Sequence, residues 1–144
     1  MKQAVKGVLQ IAPALRTMLA DLMRSPMKET NTRCGVALVG CGVVGGAVAT
    51  LLTRDRQILR NRTHLEIPLR YIVDVNHDHA RELGLDESLY TDELSKALAD
   101  PEVRVVVELV GGTTVARQIT EQALKAGKHV VTANKALLAH AGPQ

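Results

Sequence analysis

The sequence contains no phenylalanine and no tryptophan, and only two tyrosines, Tyr71 and Tyr90. A chain so poor in rings offers no aromatic platform for stacking unpaired bases. Its 18 basic and 15 acidic residues are interspersed, leave a formal net charge of +3 and form no basic stripe. Nucleic acid is therefore not an expected partner. The core has to be assembled from Val, Leu, Ile and Ala, which suits a parallel sheet buried under helices. Cysteine is also scarce. Cys34 and Cys41 are separated by mostly extended chain, about 23 Å at strand rise, whereas a disulfide needs Cα atoms within about 7 Å. Both are expected to be free thiols, as in a reducing, cytoplasmic compartment. The histidines (His64, His77, His79, His129, His140) and cysteines show no metal-ligand spacing, so no metal is expected.

No apolar stretch is long enough and uncharged enough to span a bilayer, so no membrane association is expected. The nearest candidate lies at the amino terminus, where Val8, Leu9, Ile11, Ala12, Leu15, Met18, Leu19, Leu22 and Met23 recur at helical spacing. Gln10, Pro13 and Arg16 interrupt it, and no small-residue cleavage site follows, which argues against a secretory signal. Asp21 argues mildly against a mitochondrial targeting peptide. Residues 1–32 are read as an amphipathic extension and a polar linker, with residues 33–144 forming a single domain.

Glycine is what the chain has in a telling place. The apolar run Gly35–Val39 leads straight into Gly40-Cys41-Gly42-Val43-Val44-Gly45, a G-x-G-x-x-G turn followed by the small aliphatic start of a helix. In a dinucleotide site the first glycine makes the tight turn, the second lets backbone N–H groups approach a pyrophosphate, and the third lets helix pack on strand. The helix N-terminus then faces the phosphates with N–H donors and partial positive charge. Cys41 occupies a position in this turn that tolerates many side chains and reads as a small filler, not a nucleophile.

Beyond the turn the pattern alternates strand and helix. A helix is expected from Val44 to about Leu59, with Val44, Val48, Leu51, Leu52 and Ile58 facing the sheet. A strand follows over Pro68–Val75, then a helix capped by Thr91 and running through Leu98. Val103–Val110 is a continuous apolar strand, Thr114–Ala126 a helix stopped by Gly127, and His129–Ala133 a short buried strand that delivers a last apolar segment, Lys135–Ala139. That rhythm predicts an α/β fold of Rossmann type, a doubly wound parallel sheet with right-handed crossovers.

Three further positions carry chemistry. Asp74 falls at the carboxyl end of the second strand, where a carboxylate accepts hydrogen bonds from the adenosine ribose and repels a 2′-phosphate. It lies 29 residues after Gly45, beyond the usual interval of about 20, and the loop Arg60–Glu66 accounts for the excess. Asn76, His77, His79 and Arg81 follow directly and suit a phosphate, so NAD is favoured slightly and NADP stays open. Gly111-Gly112 ends the third strand and lets cofactor lie against backbone. Finally, Thr132, Asn134 and Lys135 arrive at the same edge, where the Lys135 ammonium can donate to a substrate oxygen or to the nicotinamide ribose.

The runs GVALVGCGVVGG and VVVELVGGTTVARQITEQALKAGKHVVTANKALLAHAG, with their spacing, resemble the amino-terminal cofactor domain of homoserine dehydrogenase. The resemblance covers about residues 33 to 142, and TANKALLA is its specific part. It implies a Rossmann domain and NAD(P)-dependent interconversion of L-homoserine and L-aspartate 4-semialdehyde, a step of threonine and methionine biosynthesis. It places Gly42, Val43 and Val44 along the pyrophosphate, Gly111 and Gly112 beside the cofactor, and Lys135 between cofactor and substrate as the tentative catalytic residue. Many members carry arginine where this chain has Asp74, which keeps the coenzyme preference open. Members also continue into a substrate-binding and dimerisation domain, so the resemblance implies an amino-acid substrate and a homodimer for the longer protein. Cofactor binding without useful turnover is expected of these 144 residues. A non-catalytic NAD(P)-binding regulatory module, or the cofactor domain of a related amino-acid dehydrogenase such as an aspartate dehydrogenase, are the alternatives.

Overall fold

The structure is a computed structural model that describes residues 33–135. The extension expected over residues 1–32 and the apolar segment after Lys135 lie outside the described residues. Five parallel strands form one sheet: β1 (Gly35–Val39), β2 (Leu69–Val73), β3 (Tyr90–Thr91), β4 (Val103–Glu108) and β5 (His129–Thr132), in the order β3-β2-β1-β4-β5. The order reverses between β1 and β4, so their carboxyl ends diverge around a crevice, the feature that places ligands in doubly wound folds.

β1 is the central strand of the sheet. It pairs with β2 on one side (Val39 opposite Val73) and with β4 on the other (Val39 opposite Glu108). Its alternate residues supply two cores. Val36 and Leu38 pack with Ala49 and Leu52 of helix α1 (Val43–Arg54), while Ala37 and Val39 join Ala97 of α4 (Leu94–Ala99) and Ile119 and Ala123 of α5 (Thr114–Lys125). Helices therefore cover both faces, which is why a sequence of aliphatic runs without rings suffices. Each fully buried aliphatic side chain contributes about 1.5–3 kcal/mol.

The expected helix Val44–Leu59 is two helices. α1 ends at Arg54, and Asp55 separates it from α2 (Arg56–Thr63), which buries no residue. The sheet-facing stripe also differs. Val44, Leu51 and Ile58 are exposed, whereas Leu52 is buried and Val48 packs against the core as expected, with Gly45, Gly46 and Ala49 also turned inward. Small residues occupy the start of that face because a Cβ on Gly45 would meet the Gly40 carbonyl and one on Gly46 would meet Leu83 and His79. α2 also replaces most of the loop expected over Arg60–Glu66 and accounts for the long interval between Gly45 and Asp74.

β2 is shorter than Pro68–Val75, and Val75 is 94% exposed beyond its end. After it come a one-turn helix, α3 (Asp78–Glu82), a 3-10 turn over Glu87–Leu89, and the two-residue strand β3, none of which the apolar pattern signals. Thr91 belongs to β3; its hydroxyl still accepts from the Glu93 N–H at 3.1 Å, but α4 begins only at Leu94. β4 ends at Glu108, short of Val110. β5 is the edge of the described sheet, with His129 and Val131 exposed, not the buried strand expected. α5 ends as its glycine predicts: the Gly127 N–H bonds the Leu124 carbonyl and the Lys128 N–H bonds the Ala123 carbonyl, the paired bonds of a Schellman motif.

At the amino ends of the strands, away from the crevice, Asp100 ties β2 to the approaches of β4 and β5. Its carboxylate accepts from Arg70 (3.1 Å), the Tyr71 hydroxyl (3.0 Å) and the Glu102 N–H (2.8 Å), and its carbonyl accepts from Lys128 Nζ (2.8 Å). Burial alone would raise the Asp100 pKa, but the Glu102 N–H, the Tyr71 hydroxyl and the Arg70 guanidinium hold it below the usual carboxylate range.

Candidate functional site

The glycine turn at the end of β1 divides its labour among three residues. Gly40 has φ +93°, a left-handed conformation that glycine adopts without steric cost, and its N–H bonds the Val73 carbonyl at 2.9 Å. Gly42 caps α1 through its backbone, with the Gly46 N–H on its carbonyl at 2.7 Å. A Cβ added to Gly42 would meet nothing within 4 Å. A Cβ on Gly45 would collide with the Gly40 carbonyl oxygen and stand 2.9 Å from its carbon. Gly45 is thus demanded by packing of helix on turn, whereas nothing among the described residues demands Gly42. No side chain caps α1, and its first turn holds no acidic residue. Val43 is 84% exposed and Val44 is exposed beside it. An uncapped helix start with open space at the glycine before it is a cradle for an anion.

Asp74 stands directly after β2 and braces this turn. One carboxylate oxygen accepts from the Cys41 N–H at 2.6 Å; the other accepts from the N–H groups of Val75 (2.7 Å) and Asn76 (3.2 Å). Asp74 is only partly buried, so its oxygens keep capacity for a further donor. Cys41 itself is buried, and its thiol pKa is raised, chiefly by burial and then by the Asp74 charge. That disfavours the thiolate a nucleophile requires. Cys34 and Cys41 are both free.

On the other side of the turn, β4 and β5 are joined by a residue that the apolar reading of β4 passed over. Glu108 is 0% exposed. Its Oε1 accepts from the Val110 N–H at 2.7 Å and its Oε2 from the Thr132 hydroxyl at 2.6 Å. The Thr132 Oγ1 in turn accepts from the Asn134 N–H at 3.0 Å, and the Asn134 side-chain amide donates to the Gly112 carbonyl at 2.6 Å. These bonds close a ring that runs from the end of β4 to the end of β5 and back. The only signal for Glu108 in the sequence is a carboxylate set between Val107 and Leu109.

A cavity of about 250 Å³ opens at this ring, lined by Val44, Leu109, Val110, Gly111, Gly112, Ala133 and Asn134. It unites the first turn of α1 with the carboxyl ends of β4 and β5. Of the residues singled out in the sequence, Val44, Gly111, Gly112 and Asn134 line it, with Gly42 and Val43 on the same turn. Thr132 lies behind its wall through Glu108. Lys135 is exposed and follows Asn134 directly. Asp74 is not at this cavity; it braces the turn from the β2 side.

Residues 40–143 match the family described as homoserine dehydrogenase, NAD-binding domain. Among curated proteins, a homoserine dehydrogenase from Methylobacillus glycogenes is 42% identical over 113 residues, covering 78% of this chain and 26% of that protein. Another, from Neisseria gonorrhoeae, is 36% identical over 116 residues, covering 81% and 26%. The crystal structure of a homoserine dehydrogenase from Thiobacillus denitrificans superposes with a TM-score of 0.68 at 40% identity, covering 76% of this chain and 25% of that one. The chain spans about a quarter of the length of the curated relatives it matches.

Proposed function

The chain belongs to the homoserine dehydrogenase family through its NAD-binding domain, and from that premise we propose that residues 33–144 hold NAD(P) for the reversible oxidation of L-homoserine to L-aspartate 4-semialdehyde. One observation carries the reading: Val44 of the glycine turn, Gly111-Gly112 after β4 and Ala133-Asn134 after β5 line one cavity where the strand order reverses. The cavity is smaller than the ~300–1,000 Å³ of sites that enclose a drug-sized ligand. It suits the nicotinamide half of a dinucleotide, with the pyrophosphate against Gly42–Val44 and the adenosine towards Asp74.

When bound, the dinucleotide supplies or accepts hydride at its nicotinamide ring. The chain's residues bind and orient. Backbone N–H groups at the start of α1 face the pyrophosphate, Asp74 accepts from the adenosine ribose, and the Lys135 ammonium donates to the substrate oxygen or the nicotinamide ribose. Hydride transfer needs donor and acceptor in near-attack geometry, and residues that hold homoserine belong, in this reading, to the three quarters of the relatives that the chain does not match. Purified as 144 residues, the protein is therefore expected to bind NADH or NADPH in a titration and to show no homoserine oxidation. Measurable turnover would overturn that division of labour.

NAD is the favoured coenzyme in this reading. A 2′-phosphate would approach the Asp74 carboxylate, and like charges about 4 Å apart cost on the order of 1–4 kcal/mol between water and an effective dielectric of 20. The neighbouring cation is also engaged, since Arg81 pairs with Asp78 (3.0 Å) and lies 3.7 Å from Glu87. Asp74→Asn removes the charge and replaces one of the two acceptor oxygens with a donor, so the turn or the ribose loses an acceptor. The variant should weaken NADH binding about tenfold, a loss of ~1.4 kcal/mol, with little net change for NADPH, because the relieved repulsion offsets the lost acceptor. Calorimetric titration of both coenzymes reads the ratio, and an unchanged ratio would refute the assignment.

A further inference from the structure

We propose that Glu108 is a positioning residue that sets the nicotinamide-side wall of the crevice, a role that rests on the cofactor reading above. A carboxylate that is 0% exposed at the end of an apolar strand needs partners for its oxygens. Its two partners stand at the ends of different strands: Val110 two residues past β4 and Thr132 the last residue of β5. Backbone pairing alone already holds these strands together, since Glu108 lies opposite Thr132 in the β4–β5 register. The side chain does something else, fixing what comes after pairing stops. Through Val110 it orients the peptide that leads into Gly111-Gly112. Through Thr132, whose hydroxyl also receives the Asn134 N–H, it sets the start of Asn134-Lys135.

The ring closes where Asn134 donates to the Gly112 carbonyl at 2.6 Å. Gly111, Gly112, Ala133 and Asn134 together make most of the cavity wall. Glu108 itself does not line the cavity. It acts through the four residues that do, which distinguishes it from a group that touches cofactor. The glycine turn abuts this ring, with Gly40 packed against Leu109 and Val110, but it is held from the β2 side by the Gly40 N–H on the Val73 carbonyl and the Cys41 N–H on Asp74, so a loosened ring leaves the adenosine and pyrophosphate contacts intact.

That separation is measurable. Glu108→Leu keeps the volume apolar and strands the Val110 N–H and the Thr132 hydroxyl; Glu108→Gln keeps an acceptor for the Val110 N–H while denying Thr132 its acceptor. NADH and ADP-ribose are titrated into the full 144-residue chain and into both variants, with NADH fluorescence recorded as a report on the nicotinamide surroundings. Losing a buried hydrogen-bond partner is expected to weaken NADH about tenfold in Glu108→Leu and less in Glu108→Gln, with reduced nicotinamide fluorescence enhancement. ADP-ribose, which lacks the nicotinamide, should bind all three chains within about threefold. Equal losses for both ligands would show a merely structural role, and unchanged NADH binding would show none; either overturns the proposal. If Glu108→Leu does not fold, Glu108→Gln decides by the same ratio. Failure of the unmodified chain to bind NADH would instead overturn the cofactor reading, and this role with it.

Discussion

Gly45→Ala should lower the thermal midpoint of the chain by about 10 °C, the equivalent of roughly 2–3 kcal/mol for a domain of this size. Two effects of opposite sign decide this. Alanine is the better helix former and would contribute about 1 kcal/mol at an unconstrained helical position. Here the added Cβ meets the carbonyl of Gly40, an atom of backbone that has no rotamer to change. Relief requires α1 to lift away from the turn, and α1 carries Ala49 and Leu52, which pack on Val36 and Leu38 of β1. The collision is therefore transmitted into one of the two cores, and it outweighs the propensity gain. Thermal unfolding followed by circular dichroism measures the outcome. A midpoint equal to that of the unmodified chain would show that helix and turn are not locked together as the structure describes.

Gly42 and Gly45, three residues apart, carry the different jobs that their places in the turn predict: the space at Gly42 is open, and Gly45 is pressed against the Gly40 carbonyl. The alternation of aliphatic runs with helical stripes was enough for the sheet class, since β1, β4 and α5 obey one dominant period each. Where two demands competed, the sequence misled. Val44, Leu51 and Ile58 fit a helical stripe but are exposed, because the tight seating of Gly45 on the Gly40 carbonyl turns Gly45, Gly46, Ala49 and Leu52 inward with Val48 partly buried beside them, and Ile58 belongs to α2. α3 and β3 escaped because elements of five and two residues are too short to show a period. In the crevice, the strand ends were legible because glycines and polar residues punctuate them. Glu108 was not, because its partners Val110 and Thr132 come together only through the β4–β5 pairing, and no local pattern encodes a contact across 24 positions.

The last expectation concerns Gly42, and it is the counterpart of the first. With φ −78° and ψ −156°, Gly42 adopts an extended conformation open to any residue, and its added Cβ would meet no protein atom within 4 Å. Gly42→Ala should therefore fold like the unmodified chain, with a stability change of no more than about 0.5 kcal/mol. Its effect falls on the ligand. The methyl group would occupy the space before the uncapped start of α1, where a pyrophosphate must come within hydrogen-bond distance of backbone N–H groups. Charge-assisted hydrogen bonds contribute ~1.5–3 kcal/mol each, and losing the equivalent of one or two should weaken NADH about a hundredfold. Calorimetric titration beside thermal unfolding measures both quantities on the same preparation. Binding within threefold of the unmodified chain would mean that the phosphates lie elsewhere, whereas a large drop in the midpoint would mean that the turn packs more tightly than described. A folded chain that has lost the dinucleotide is the outcome that assigns this glycine to the ligand and Gly45 to the fold.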